Sequence, residues 1–136
     1  MARDHRKLRV FHDAHALAPA IYKHTKHFPK DEWYGMRSQM RRAAASIPSN
    51  LVEGSARRTT ADYLKFLHIA LGSACELNYL TGLAGELDLL TSPTSRLLLA
   101  DSDRVIRQLQ RLTESVDCML ARERQSSRHR GDANNN

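Results

Sequence analysis

The sequence predicts an all-α domain, an antiparallel up-down-up-down four-helix bundle. Three observations carry that prediction: apolar residues recur in steps of three and four along four segments, the breaks between those segments are short, and no stretch alternates apolar with polar residues as a half-buried strand would. At 136 residues the chain fits one domain. With 41% hydrophobic and 26% charged residues and only 6 Gly and 4 Pro, it has the composition of a helical globular protein.

The first helix is expected over 8–27, where Phe11, Ala14, Ala18, Ile21, Thr25 and Phe28 share a face. Pro19 should bend it, because an interior proline removes a backbone hydrogen bond at about 3 kcal/mol. The turn Phe28-Pro29-Lys30 ends it, and Asp31 is a candidate N-cap for the next helix. That second helix, 32–56, places Met36, Met40, Ala43, Ile47 and Leu51 on one stripe, with Arg42 opposite. Pro48 falls inside it, and because the apolar phase survives from Ile47 to Leu51, a kinked continuous helix is favoured over a stop. Gly54 and the pair Arg57-Arg58 then close it.

Thr59-Thr60-Ala61-Asp62 resembles a capping box and opens a third helix over 60–90. Its apolar residues, from Tyr63 through Leu87, cover more than one face, so more than one neighbour must bury it, and self-association is expected. In the fourth helix, 93–122, Ser92 is the expected N-cap and Pro93 the first helical residue. Val105, Leu109, Leu112, Val116 and Met119 form its stripe. Residues 125–136 contain nothing apolar larger than alanine and are expected to form a mobile tail after a bundle spanning 1–124.

Charge speaks to partners. The net charge is +6, and residues 1–30 alone hold seven Lys and Arg against two Asp and Glu, whereas residues 61–92 hold one against four. Arg104, Arg107, Arg111 and Arg122 fall within about 60° of one another on a helical wheel. Asp103 and Glu114 sit at pairing distance from Arg107 and Arg111, so an ordinary solvated face is the competing reading. Arg37, Arg41, Arg42, Arg57 and Arg58 have few acids at such spacing and are stronger candidates for phosphate contacts. Arg3, Arg6, Lys7 and Arg9 could form a basic arm. Sequence-specific base reading has no support, since no zinc finger, RNA-recognition motif or clear helix-turn-helix is visible.

Catalysis and metal binding have little to stand on. Five of the seven histidines lie in the first 27 residues, yet no Glu precedes a His at the three-residue step that a di-iron bundle uses, so rim histidines are the expected reading. Glu53 and Glu76 are read as structural partners of arginines or helix ends and not as acid–base catalysts. Cys75 and Cys118 are isolated, and the expectation is a pair of reduced, buried thiols in a cytoplasmic protein. No metal, no cofactor and no membrane span is expected. Ala43, Ala44, Ala45, Gly72, Ser73 and Ala74 suit close helix packing.

The run Tyr34-Gly35-Met36-Arg37-Ser38-Gln39-Met40-Arg41-Arg42-Ala43-Ala44, continued by Ser46-Ile47-Pro48-Ser49-Asn50 and Glu53-Gly54, resembles the signature of a bacterial four-helix-bundle family. That family was first noticed as reading frames inside intervening sequences of 23S ribosomal RNA genes. Ala70-Leu71-Gly72-Ser73 with Glu76-Leu77 looks like its second block, and Leu8, Phe11, Ala14, His15, Ile21, Tyr22, Phe28 and Pro29 fit its opening block. The resemblance covers roughly residues 6–120. It implies a ring-like homo-oligomer, often a pentamer, with a basic surface suited to nucleic acid and no enzymatic activity. One branch of the family consists of accessory factors to the reverse transcriptases of diversity-generating retroelements. The chain departs from the pattern at Asn78-Tyr79 and in its Arg-rich C-terminal segment. Sequence and resemblance together favour a non-catalytic accessory protein that binds structured RNA or RNA–DNA through phosphates, and a protein-interaction scaffold is the alternative.

Overall fold

The computed structural model describes residues 3–135, so Met1, Ala2 and Asn136 lie outside the described residues. Four α-helices follow one another: α1 Arg9–Thr25, α2 Met36–Ser55, α3 Thr60–Glu86 and α4 Ser92–Ala133, with single 3-10 turns at His5–Lys7 and Lys30–Glu32. Each helix packs on its sequence neighbour and α1 also packs on α4, whereas the diagonal pairs do not meet. This is the closed square of a bundle. Its antiparallel sense is visible in the cross-helix contacts. Arg42 meets Glu76 while Ser46 meets Ser73, so residue numbers rise on α2 as they fall on α3. The same holds for α3 and α4, where Thr60 reaches Glu123 and Asn78 reaches Ser102.

The core is built from the expected stripes. Ile21, Met40, Ile47, Leu51, Leu67, Leu77, Leu98, Val105 and Leu109 are almost wholly buried. Ala18, Met36 and Leu112 are partly buried against that core, and Met119, at 47% exposure, lies outside it. α3 is flanked by α2 on one side and α4 on the other, which accounts for much of its apolar circumference. Small residues set the spacing. Ala43, Ala44, Ala70, Ala74 and Ala84 are fully buried, and a Cβ on Gly54 would lie 2.8 Å from the Cβ of Phe66. Gly54 therefore sits in the last turn of α2, where that helix closes, and its missing side chain permits the close crossing. Ala45 and Gly72 face outward instead, and nothing lies near the position of a Gly72 side chain.

Several boundaries differ from expectation. α2 begins at Met36, because residues 30–32 turn once in 3-10 form and the Glu32 carboxylate, not Asp31, accepts the Met36 N–H at 3.2 Å. Trp33 fixes this turn by donating its indole N–H to the carbonyl of buried Phe28 at 3.1 Å. Pro48 lies inside an uninterrupted α2, and the Asn50 side chain donates to the Ser46 carbonyl at 2.7 Å within the same turn. Thr59 caps α3 as expected, accepting from the Asp62 N–H at 3.1 Å. α3 ends at Glu86, short of residue 90, where Asp88 adopts a positive φ of 58° and the Leu89 and Leu90 N–H groups return to the Ala84 carbonyl. Thr91, one residue before the expected Ser92, caps α4.

The largest correction concerns the C-terminal segment. The expected tail from 125 is helical through Ala133, as the last three turns of α4. Every residue from Ala121 to Asn135 is exposed, so no packing supports this part. What favours helix there is local: Gln125, Arg128, Arg130 and Ala133 are good helix formers set against the weaker Ser126, His129, Gly131 and Asp132, and Ser127 bonds back to the Glu123 carbonyl. At 42 residues, α4 is about 63 Å long against about 40 Å for α3, so its end projects beyond the bundle.

Gly54→Ala is expected to destabilise the protein by about 2 kcal/mol, because the opposing atom is the Cβ of Phe66 and cannot swing away. Gly72→Ala, at an open helical position, should instead stabilise it by about 0.5–1 kcal/mol. Urea denaturation of the two variants measures both.

Candidate nucleic-acid interface

The candidate arginines fall into three places. Arg37 and Arg41 are one helical turn apart on the side of α2 that faces α1. The Arg37 guanidinium stacks 4.3 Å from the Trp33 ring centre, where Lys30 also approaches at 5.8 Å. Arg41 lies 4.5 Å over the Tyr22 ring and donates to the Thr25 hydroxyl at 3.0 Å and the Tyr22 carbonyl at 3.2 Å. Tyr22 belongs to the last turn of α1, whose carbonyls lack helical partners, so Arg41 serves as a side-chain cap for that helix. The buried Thr25 hydroxyl passes its own proton to the Ile21 carbonyl at 2.7 Å. Arg42 points to the other side and pairs with Glu76 at 2.8 Å. With the Arg42 side chain 64% exposed, this pair contributes at most about 1 kcal/mol. Glu76 thus has an arginine as its structural partner, as expected. Glu53 is exposed and forms no ion pair among the described residues.

On α4 the expected pairs do not form. Arg104 bonds Asp101 at 3.6 Å, while Asp103 accepts from the Asn78 side chain at 3.0 Å and so is not matched to Arg107. Arg107 and Arg111 have no ion-pair partner among the described residues, and Glu114 stands apart from Arg111. This strip borders α1 from the α4 side, with Arg104 beside Asp13 and Leu17, whereas Arg41 borders the last turn of α1 from α2. The eight candidates do not make one surface.

The third place is the end of the bundle where the α2–α3 turn sits. Arg57 stacks on Phe66 at 4.7 Å, and Arg58 is exposed beside it. Arg3, from the other end of the sequence, arrives at the same turn: it donates to the Arg57 carbonyl at 3.1 Å and the Thr60 hydroxyl at 3.3 Å, and lies 4.4 Å over Tyr63. Burial raises the Tyr63 phenol above its ordinary pKa, and the Arg3 charge offsets part of that rise. Thr60 in turn donates to Glu123 at 2.8 Å, which places the projecting part of α4, with Arg122, Arg124, Arg128 and Arg130, at this same end. Arg6 is held by Asp4 at 3.0 Å, an exposed pair in which the guanidinium lowers the Asp4 pKa and the carboxylate raises that of Arg6. Three segments distant in sequence therefore build one basic pole. Position in sequence alone gives no sign that Arg3 joins Arg57 and Arg58.

Elsewhere, His5, His12 and His15 surround Phe11, with His5 at 4.7 Å from its ring centre, and His12 meets the Arg6 carbonyl at 2.6 Å. Among the described residues no group of three or more His, Cys, Asp or Glu side chains could hold a metal ion. Both cysteines are free and, against expectation, exposed, because each falls on the outer side of its helix. No helix among the described residues is long and apolar enough to cross a membrane.

The sequence pattern of the family described as 23S rRNA-intervening sequence protein matches residues 6–111. The chain belongs to that family. A comparison with curated proteins found no match. Among solved structures, the fold is similar to a protein of unknown function from the S23 ribosomal protein family of Bacteroides thetaiotaomicron VPI-5482, with a TM-score of 0.71 and 24% identity over 77% of this chain and 95% of that one. The family match ends at Arg111, before the projecting part of α4.

Arg41→Ala is expected to destabilise the fold by about 1–2 kcal/mol through the lost cap of α1. Arg37→Ala, which loses only an exposed ring contact, should change stability by less than about 1 kcal/mol in the same denaturation assay.

Proposed function

We propose that the protein is a non-catalytic accessory factor that binds structured RNA, or RNA–DNA, through backbone phosphates at its basic pole. The observation that carries this reading is the gathering of Arg3, Arg57, Arg58 and the arginines of the α4 projection at one end of the bundle, where among the described residues only Arg6 is held by a carboxylate. Lys and Arg neutralise phosphates and release counterions, and unpaired guanidinium groups do so without first breaking an ion pair. Arg57 and Arg58 keep their candidate roles in this reading. Arg37, Arg107 and Arg111 supply weaker contacts away from the pole, and Arg41, Arg42 and Arg104 serve chiefly in packing and pairing. The name of the family associates its members with 23S ribosomal RNA genes, which is consistent with RNA as the ligand.

Self-association fits the same picture. The outer side of α3 and α4 exposes Ile69, Tyr79, Leu87 and Leu97, and Tyr79 is 67% exposed. Family resemblance favours a homopentamer, in which five copies of the pole would multiply the phosphate contacts. A reverse transcriptase or another protein is a further partner consistent with that resemblance.

Fluorescence anisotropy with a structured RNA and a matched DNA duplex, at low and near-physiological salt, tests the reading. Saturable RNA binding is expected, with a log–log salt slope of about −4 for roughly five neutralised phosphates. No binding at low salt would remove the nucleic-acid reading and leave a protein-interaction scaffold that uses the apolar face of α3 and α4.

A further inference from the structure

The basic pole contains a recess of about 470 Å³ between the N-terminal segment and the α2–α3 turn. Arg3, His5, Arg57 and Arg58 line it together with Val52 and Ser55 of the last turn of α2. Its volume lies within the roughly 300–1,000 Å³ of ordinary small-ligand sites.

Capping of α2 explains only part of this arrangement. A helix C-terminus presents about half a negative elementary charge, whereas three arginine residues line the recess beside this one. The carbonyls at the helix end are already engaged: Glu53 accepts from Ala56, Gly54 from the Arg57 N–H, and the Arg57 carbonyl from Arg3. No carboxylate forms an ion pair with Arg3, Arg57 or Arg58 among the described residues. Glu123, the carboxylate that comes nearest through hydrogen bonds, accepts from Thr60 instead. Ser55 also belongs to the lining of this recess. It is 5% exposed, and its buried hydroxyl has no hydrogen-bond partner among the described residues. Buried hydroxyls are normally satisfied, so a small side-chain rotation that brings this one to the recess would let it donate to a bound acceptor.

We infer that this recess is a phosphomonoester site that takes the terminal phosphate of an RNA strand or of a free mononucleotide. The inference rests on the nucleic-acid reading for its RNA ligand. A terminal phosphate carries close to two charges and three outward oxygens, which guanidinium forks, an imidazole N–H and a hydroxyl can surround. An internal phosphodiester carries one charge and would have to lead two chain ends out of the recess. Val52 and the aliphatic stems of the arginines supply an apolar wall for the attached sugar or base.

The test uses the full chain and one RNA hairpin prepared with a 5′-phosphate, with a 3′-phosphate, or with hydroxyls at both ends, with adenosine monophosphate and adenosine as unlabelled competitors. One phosphate-ended hairpin is expected to bind about tenfold more tightly than the hydroxyl form, and adenosine monophosphate, not adenosine, should erase that advantage. Ser55→Ala removes no charge, so it should reduce the advantage while leaving the hydroxyl hairpin's affinity unchanged. Arg58→Ala, at an exposed position that leaves folding intact, should abolish the advantage. Equal affinity for all three hairpins, with no displacement by adenosine monophosphate, would overturn the site and leave the nucleic-acid reading standing. If no hairpin binds at all, that reading fails, and calorimetry with adenosine monophosphate decides the recess: binding assigns it to free nucleotides, and no binding overturns it.

Discussion

The close approach of α2 to α3 is the constraint on which the rest of the molecule depends. α3 has to be buried on two sides, and small residues line both seams: Ala43, Ala44, Ala70 and Ala74 are fully buried and Gly54 lies against Phe66 and Tyr63 on one, while Ala84 is fully buried and Gly85 lies against Ser95 on the other. At Gly54 and Gly85 there is no room for a methyl group without displacing the Cβ atoms of Phe66 and Ser95. The spacing carries through to the ends of the helices. With Gly54 pressed on Phe66 and Tyr63, the turn 56–59 is short and tightly placed, and Tyr63 becomes the platform on which Arg3 settles. The basic pole is a consequence of packing as much as of charge.

That same packing sorts the arginines by task. A guanidinium near a helix end, a buried hydroxyl or a facing carboxylate is drawn into the structure, as Arg41 is by α1 and Arg42 by Glu76. One that emerges at a turn or on a projecting helix meets no such partner and keeps its charge for solvent or for a ligand, as Arg58 does. The formal charge of +6 therefore understates how uneven the surface is. Partnered arginines contribute to stability, and unpartnered ones set the long-range field that attracts phosphate.

Much of the fold was legible because the stripes of three-and-four spacing are long, and burial follows them: Met40, Ala43, Ile47 and Leu51 are all fully buried, and the persistence of that phase across Pro48 correctly signalled one helix. Boundaries were less legible. The cap of α2 comes from Glu32 reaching forward from a separate turn, and Thr91 competes with Ser92 only one residue away. The helical end of α4 carries no apolar stripe and only a few good helix formers, Gln125, Arg128, Arg130 and Ala133, so the sequence gives little sign of it. The site was the least legible part. Spacing rules pair residues on the same helix, yet Asp103 is taken by Asn78 from α3, Arg42 finds an acid 34 positions away, and Arg3 crosses 54 positions to the Arg57 carbonyl. No count along the sequence contains those encounters.

The central claim is that RNA is held at the pole and not along α2, and the salt dependence of RNA binding in two double variants tests it most directly. Arg58→Ala with Arg124→Ala removes two unpaired charges at the pole, and the account predicts a log–log slope shallower by about 2 and weaker binding at every salt concentration. Arg37→Ala with Arg42→Ala removes two charges from the opposite part of α2, and a slope close to that of the parent protein is expected. The reverse pattern, with the α2 pair flattening the slope and the pole pair leaving it unchanged, would contradict the account.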